Sequence, residues 1–532
     1  MNLPKPPREL HPYLRYGLAV AMHQHHRQDT DLATDLTAED LARTLHEGLS
    51  HFRLQPAGPL QPGNPVNYSY LSLNTLAENE SLVQSSGLAE KGYFIPPTAL
   101  IPSHKNAKNA YSAVKKLYEQ LNELPEEAAE EELGGNSNLP MSIAAFTNKY
   151  NQGKNSQSNV KASVYEQVLA AISALTPAKA ALYDVKYLPQ AIFPALPLQD
   201  LKRYIRVFLQ MKEQKASDLL VGQAKADAKK YPMPALVWGN FPDAPRRAVF
   251  GPAALLAAIG NWAKIVEDEI QQEEVLATLE SLKNAPLYIV GGHGVAVESY
   301  SHHVVELAKT GKLSQILKGL WNTRLRKDEN AYRYDDTIYG TFDLYAARFL
   351  QFFNPTSFAS FLSYRADYHY QLEPLFTTYF LNKMSTPPEI VESARALGLW
   401  INRQAFFAAQ KEAENRGEKS NKDETENRGE KSNKDDLYKL KAKFLTELES
   451  SIFNAKTEHQ LTSQLISRVG RLTGQDAPGE GEPFITAVLT QDALDDDERR
   501  QLQKAKHLLI TYARLRPNQA NTAENADFEP VE

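Results

Sequence analysis

The stretch Pro388-Glu389-Ile390-Val391-Glu392-Ser393-Ala394-Arg395-Ala396-Leu397-Gly398-Leu399-Trp400-Ile401 decides the fold, because Ile390, Ala394, Leu397 and Ile401 recur in it at helical spacing. Further stripes follow: Leu437, Leu440, Phe444, Leu448 and Ile452; Leu461, Leu465, Val469 and Leu472; Leu502, Ala505, Leu508, Leu509 and Tyr512. Each stripe is one apolar face wide and must be buried against another. A C-terminal α-helical bundle over residues 384–532 is the economical arrangement.

Ahead of the bundle, residues 1–383 read as a mixed α/β body, so the fold class is α+β. Residues 9–52 suggest two helices, one with Pro12 in its first turn and one opened by Thr37-Ala38-Glu39-Asp40 as a capping box. Residues 67–73, 93–101, 233–237 and 287–290 suggest strands. Residues 107–129, 164–175, 253–267, 273–282, 343–353 and 372–381 suggest helices, and the acidic run 126–132 a loop. The topology of the body does not follow from these elements. Residues 412–423 recur as 424–435, differing only at Ala413 against Thr425. With no large apolar residue in either copy, residues 411–436 form a solvated linker or helix extension. The acidic tail from about residue 518 is expected to lack fixed structure.

The 532 residues exceed one core, and 42% hydrophobic with 23% charged residues is ordinary globular composition. The absence of cysteine excludes disulfides, thiolate chemistry and cysteine-ligated metal sites. No signal peptide is legible and no apolar stretch is expected to reach spanning length, so a soluble cytoplasmic protein without membrane contact is expected. The net charge is −6 but unevenly spread: residues 141–230 hold 13 Lys/Arg against 6 Asp/Glu, and residues 476–532 hold 6 against 12. A basic interior beside an acidic tail suits local phosphate contact within an assembly; a solvated helix face is the alternative.

Catalytic motifs are hard to find. His11, His23, His25 and His26 lack ligand spacing, and no metal or cofactor is expected. The Gly291-Gly292-His293-Gly294 turn lacks the rest of a P-loop or dinucleotide fingerprint and reads as a structural turn. A rival reading, a metal-dependent hydrolase using His293, His302, His303 and Asp335 or Asp336, rests on those residues alone. A scaffold that joins proteins without reading DNA is a second rival.

One short window is rich in amides and lysines: Asn148, Lys149, Asn151, Gln152, Lys154, Asn155, Gln157, Asn159 and Lys161. Lysines supply phosphate contacts and amides can pair with base edges, while Tyr150 can stack on a base. A flexible polar loop is the bland alternative. Lys105, Lys108, Lys115 and Lys116 form a second basic stripe, and Lys202, Arg203 and Arg206 a third. Three stripes together point to nucleic acid.

With residues 394–400, 440–448, 453–472 and 508–510 as its strongest carriers, the chain resembles the large subunit of a type I CRISPR Cascade complex, closest to the I-B-like group, which includes transposon-associated systems. Large subunits of this group end in a helical bundle similar to the small subunit of the same complex. In several subtypes that small subunit starts at a codon inside the large-subunit gene, and Met384 stands where such a start would serve. The resemblance implies a non-catalytic subunit that contacts the guide RNA and reads a short PAM on target double-stranded DNA. It further implies an R-loop steadied by the bundle and recruitment of a helicase-nuclease or transposition proteins, beside other Cascade subunits. Asn148, Lys149, Asn151, Gln152, Lys154, Asn155 and Lys161 are then the expected PAM contacts. Lys439, Lys441, Lys443, Arg468 and Arg471 are expected to face single-stranded DNA, with ordinary solvent-facing side chains as the alternative.

Overall fold

The computed structural model describes residues 11–25, 36–50, 54–56, 61, 66–70, 104–125, 129–134, 136–138, 161–183, 189–214, 221–223, 233–235, 239–245, 247–291, 294–325, 336–363, 368–420, 430–490 and 498–516. It is α+β, and the chain divides into compact units of residues 1–314 and 315–532.

In the first unit, α1 (Pro12–Gln24) and α2 (Ala38–Ser50) form as expected. Thr37 Oγ1 accepts from the Asp40 amide at 3.1 Å, and the Asp40 carboxylate accepts from the Thr37 amide at 2.9 Å. β1 (Leu54–Pro56) and β2 (Val66–Tyr70) precede α3 (His104–Glu123). The acidic run expected as a loop instead ends in a short helix, α4 (Ala129–Gly134), because Leu133 finds a buried site. β3 (Asn136–Asn138) pairs with β4 (Lys161–Ser163), which runs straight into α5 (Val164–Leu175). β5 (Ala180–Tyr183), β6 (Pro189–Pro194) and α6 (Leu198–Lys212) follow, then β7 (Val221–Gln223) and β8 (Met233–Ala235). α7 (Gly251–Ile265), α8 (Glu269–Leu282), the hairpin β9 (Leu287–Gly291) and β10 (Gly294–Glu298), and α9 (His302–Lys309) complete the unit.

The antiparallel sheet β10-β9-β6-β5 anchors the core. Phe193 on β6 receives Tyr13 and Tyr16 of α1 edge-on, with centroids 4.9 and 5.0 Å away. Gly17 lets α1 touch α5, since a Cβ there would lie 2.2 Å from the Leu169 carbonyl oxygen. The fully buried Lys179 closes α5 by donating to the Ala174 and Thr176 carbonyls, each at 2.8 Å. Burial, with Lys212 nearby, holds its ammonium well below the usual lysine range. Residues 248–265 correct the expectation that no stretch reaches spanning length: the 18 residues are long and apolar enough, and 72% buried, as befits a core helix.

The chain enters the second unit early in α10 (Lys312–Leu325), then forms α11 (Asp336–Phe352), α12 (Pro355–Leu362) and α13 (Glu373–Thr378). A π-turn over Tyr379–Lys383 leads to α14 (Pro388–Ser420). α15 (Glu430–Asn454), α16 (Glu458–Thr473), α17 (Glu482–Thr490) and α18 (Glu498–Ala513) pack around α14. The predicted apolar stripes supply the core: Ala394, Leu397, Ile401, Leu461, Leu465, Val469, Leu508 and Leu509 are all buried. The duplicated segment extends helices at both ends, with residues 412–420 in α14 and 430–435 in α15. Gly398 lets α18 approach, since a Cβ there would lie 2.5 Å from that of Tyr512, and Asn402 donates to the Ala513 carbonyl at 2.6 Å.

The aromatic helices ahead of Met384 belong to this same unit. Phe358 stacks on Tyr379 at 4.1 Å and Phe380 reaches Tyr512 of α18 at 6.4 Å. Arg514, at the end of α18, is 6% exposed and donates to both carboxylate oxygens of Glu449 on α15 (2.6 and 2.8 Å) and to the Leu362 carbonyl.

Candidate nucleic-acid interface

The amide-rich window ends on a paired ribbon. Asn138 of β3 faces Lys161 of β4, so residues 139–160 connect two hydrogen-bonded strands. Ser163 fixes the far side, accepting from the Glu166 amide at 3.1 Å while its own amide donates to the Glu166 carboxylate at 2.9 Å. Asn148, Lys149, Asn151, Gln152, Lys154 and Asn155 lie outside the described residues, as does the side chain of Lys161. The second stripe falls on α3, whose apolar face buries Val114, Leu117 and Leu121 against α2. Lys116 is exposed and Lys115 half-buried there, and the side chains of Lys105 and Lys108 lie outside the described set.

In the third stripe Lys202 is half-buried, and both arginines are already engaged with carboxylates. Arg203 on α6 pairs with Asp200 and donates to Ser281 at 2.6 Å, and Arg206 makes a two-pronged contact with Glu274 on α8. These cations clip α6 to α8, so their charge is largely spent within the fold.

On the bundle, Lys443 is exposed and 4.0 Å from Glu447. Lys441 departs from the expectation that it faces DNA: it is 5% exposed, within the packed side of α15. The side chain of Lys439 lies outside the described residues. Arg468 and Arg471 do stand exposed on α16.

Sequence reasoning missed the outer face of α14. Arg403, Phe407 and Lys411 are all exposed, at i, i+4 and i+8 on one helix side, with Phe407 39% accessible. The two cations stand about 12 Å apart along the helix with the ring between them. Gln404 donates to Gln475, just past the end of α16, at 2.7 Å, which ties α14 to the C-terminal end of α16. Among the described residues, none of Arg403, Lys411, Arg468 and Arg471 makes an ion pair. Unneutralised cations flanking an exposed aromatic ring form a surface suited to phosphates and an unstacked base. The signal was present in the sequence: Arg403 lies opposite the buried Ile390, Ala394, Leu397 and Ile401 stripe, and Phe407 and Lys411 step progressively round the helix from it.

The residues of the hydrolase reading do not assemble into a site among the described residues. Gly291 pairs with Gly294 across a β-hairpin, so the glycine turn joins two strands and does not open a helix. His302 and His303 begin α9 with their rings 3.7 Å apart, and His293 and Asp335 lie outside the described residues. No group of three or more metal-ligating side chains comes together among the described residues. His25 has a structural role, contacting Thr44 at 3.1 Å and Asp40 at 3.5 Å.

The sequence profile of the family described as CRISPR-associated protein Csp2 matches residues 11–516. The chain belongs to that family. Csp2 proteins are a family of type I Cascade large subunits, so this one is a Cascade subunit and works beside the other subunits of that complex. No curated protein matches the chain, and no solved structure does.

Proposed function

We propose that this Csp2 protein is the non-catalytic large subunit of an RNA-guided DNA surveillance complex, reading the PAM on duplex DNA and holding an opened strand of the R-loop. The observation that carries the proposal beyond family membership is the exposed side of α14, where Arg403 and Lys411 stand unpaired among the described residues on either side of Phe407; Arg468 and Arg471 are exposed and likewise unpaired on the neighbouring α16. Pairing with the guide supplies sequence recognition in such a complex, so the protein needs only backbone contacts and a small base-reading element. The connection between β3 and β4 is the proposed reading element, because its amides can pair with base edges and its lysines can neutralise phosphates. Guide RNA, target duplex DNA and a helicase-nuclease or transposition proteins are the proposed further partners, within the cytoplasm. Met384 is proposed as an internal start for a small-subunit-like product.

The test is PAM discrimination by the assembled complex. Asn151→Ala or Asn155→Ala is expected to relax choice at one PAM position by about 1–3 kcal/mol. Replacing Lys149, Lys154 and Lys161 together by Ala is expected to weaken binding to all duplexes and lower the salt slope by about one per lysine. Unchanged discrimination and an unchanged slope would remove the loop from the interface.

A further inference from the structure

The two most exposed large apolar side chains among the described residues are neighbours at one corner of the first unit: Ile265, the last residue of α7, is 59% exposed, and Ile270, in the first turn of α8, is 78% exposed. The corner is firmly built. The Asp268 carboxylate caps α8 by accepting from the Gln271 amide at 2.8 Å, and Gln272 donates across to the Ala263 carbonyl at 2.8 Å. Both isoleucines are therefore held outward by rigid helix ends.

The charge around them is mainly negative, with the exposed Lys264 as the one cation beside Ile265 among the described residues. Glu267, Glu269 and Glu273 are exposed and make no ion pair among the described residues, whereas Glu274 is already engaged by Arg206. Lys264, the nearest cation in sequence, donates to the Thr310 carbonyl. Acidic residues near the start of α8 are accounted for by the helix dipole, but two outward isoleucines are not. Carboxylates repel a phosphate backbone, so the corner is unsuited to guide or target.

We infer that the Ile265–Ile270 corner is a docking site for a basic surface on another protein subunit of the complex, an apolar contact ringed by Lys or Arg that complements these carboxylates. This stands on membership of the complex and is independent of the PAM and R-loop assignments.

The test uses the complete complex expressed from its operon. One version carries Ile265→Ser with Ile270→Ser, and another carries Glu267→Lys, Glu269→Lys and Glu273→Lys. Native mass spectrometry at low ionic strength reads the occupancy of each subunit, and the isolated variants are melted alongside the parent. Hydrogen exchange of residues 264–274 is followed in the unsubstituted chain, alone and assembled. The inference predicts that both variants melt like the parent and lose the same protein subunit by at least about tenfold. It also predicts that exchange at the corner slows on assembly relative to the isolated chain. Full occupancy of every subunit in both variants would overturn it. So would exchange of residues 264–274 that assembly leaves unchanged.

Discussion

Replacing Arg403 and Lys411 by Gln probes the α14 face through a quantity that stability cannot imitate. Each cation that neutralises a phosphate of single-stranded DNA adds about 0.7 to the slope of log affinity against log salt. Arg403 and Lys411, without ion pairs among the described residues, therefore account for a slope of about 1.4, and all four with Arg468 and Arg471 for about 2.8. Between about 50 and 200 mM salt, the pair alone corresponds to a roughly sevenfold change in affinity that the double variant no longer shows. Phe407→Ala acts differently: lost stacking costs about 1–3 kcal/mol at every salt concentration and leaves the slope in place. All three side chains are exposed, so folding should change by less than about 0.5 kcal/mol. Fluorescence anisotropy of the full chain with a labelled oligonucleotide, titrated at several salt concentrations, separates the two effects. A parental slope in the double variant would refute the phosphate contacts, and parental affinity in Phe407→Ala would refute stacking.

Three further outcomes follow from the second unit. Arg514→Met leaves the Glu449 carboxylate buried without its guanidinium and should cost about 3–5 kcal/mol in denaturant unfolding, while adding Glu449→Leu should recover most of it; additive losses would contradict a coupled pair. Burial, with Arg514 and Lys506 close by, pushes the His507 imidazole down to about 4. The unfolded chain therefore binds a proton before the fold does, and stability drains away as pH falls from about 6.5 to about 4, by about 2–3 kcal/mol, in excess of any loss in His507→Phe. Equal acid sensitivity of the two proteins in urea titrations would contradict this. Replacing the Met384 codon by Ala should abolish a short product of residues 384–532 from the expressed operon and spare the full chain; a short product that persists would refute the internal start.

Helices α14, α15, α16 and α18 were legible because a single apolar face repeats every three to four residues there, and helix ends such as Thr37 carry their own caps; α10, α12 and α17 were not read. The central sheet was not. Ala180–Tyr183 and Pro189–Pro194 are short, with Ala180, Ala181, Leu182, Ala191, Ile192 and Phe193 buried without polar alternation, and the partner of Ile192 is Ile289, far along the chain. The engagement of Arg203 and Arg206 escaped for the same reason, since Ser281 and Glu274 come from a distant helix. Lys441 was legible and misread: it lies four residues after Leu437 and seven before Leu448, which puts it on the buried side of α15. Arg403, Phe407 and Lys411 were equally visible, but reading only the apolar side of a helix leaves its outer face unexamined.

The proposed role of the bundle is to hold an opened DNA strand. Permanganate footprinting of a matched target bound by the assembled complex measures that opening directly. With Arg403, Phe407 and Lys411 replaced together by Ala, the complex should retain its guide RNA and all its subunits while the reactive, unpaired thymines largely disappear. Thymines that stay as reactive as in the parent complex would contradict it.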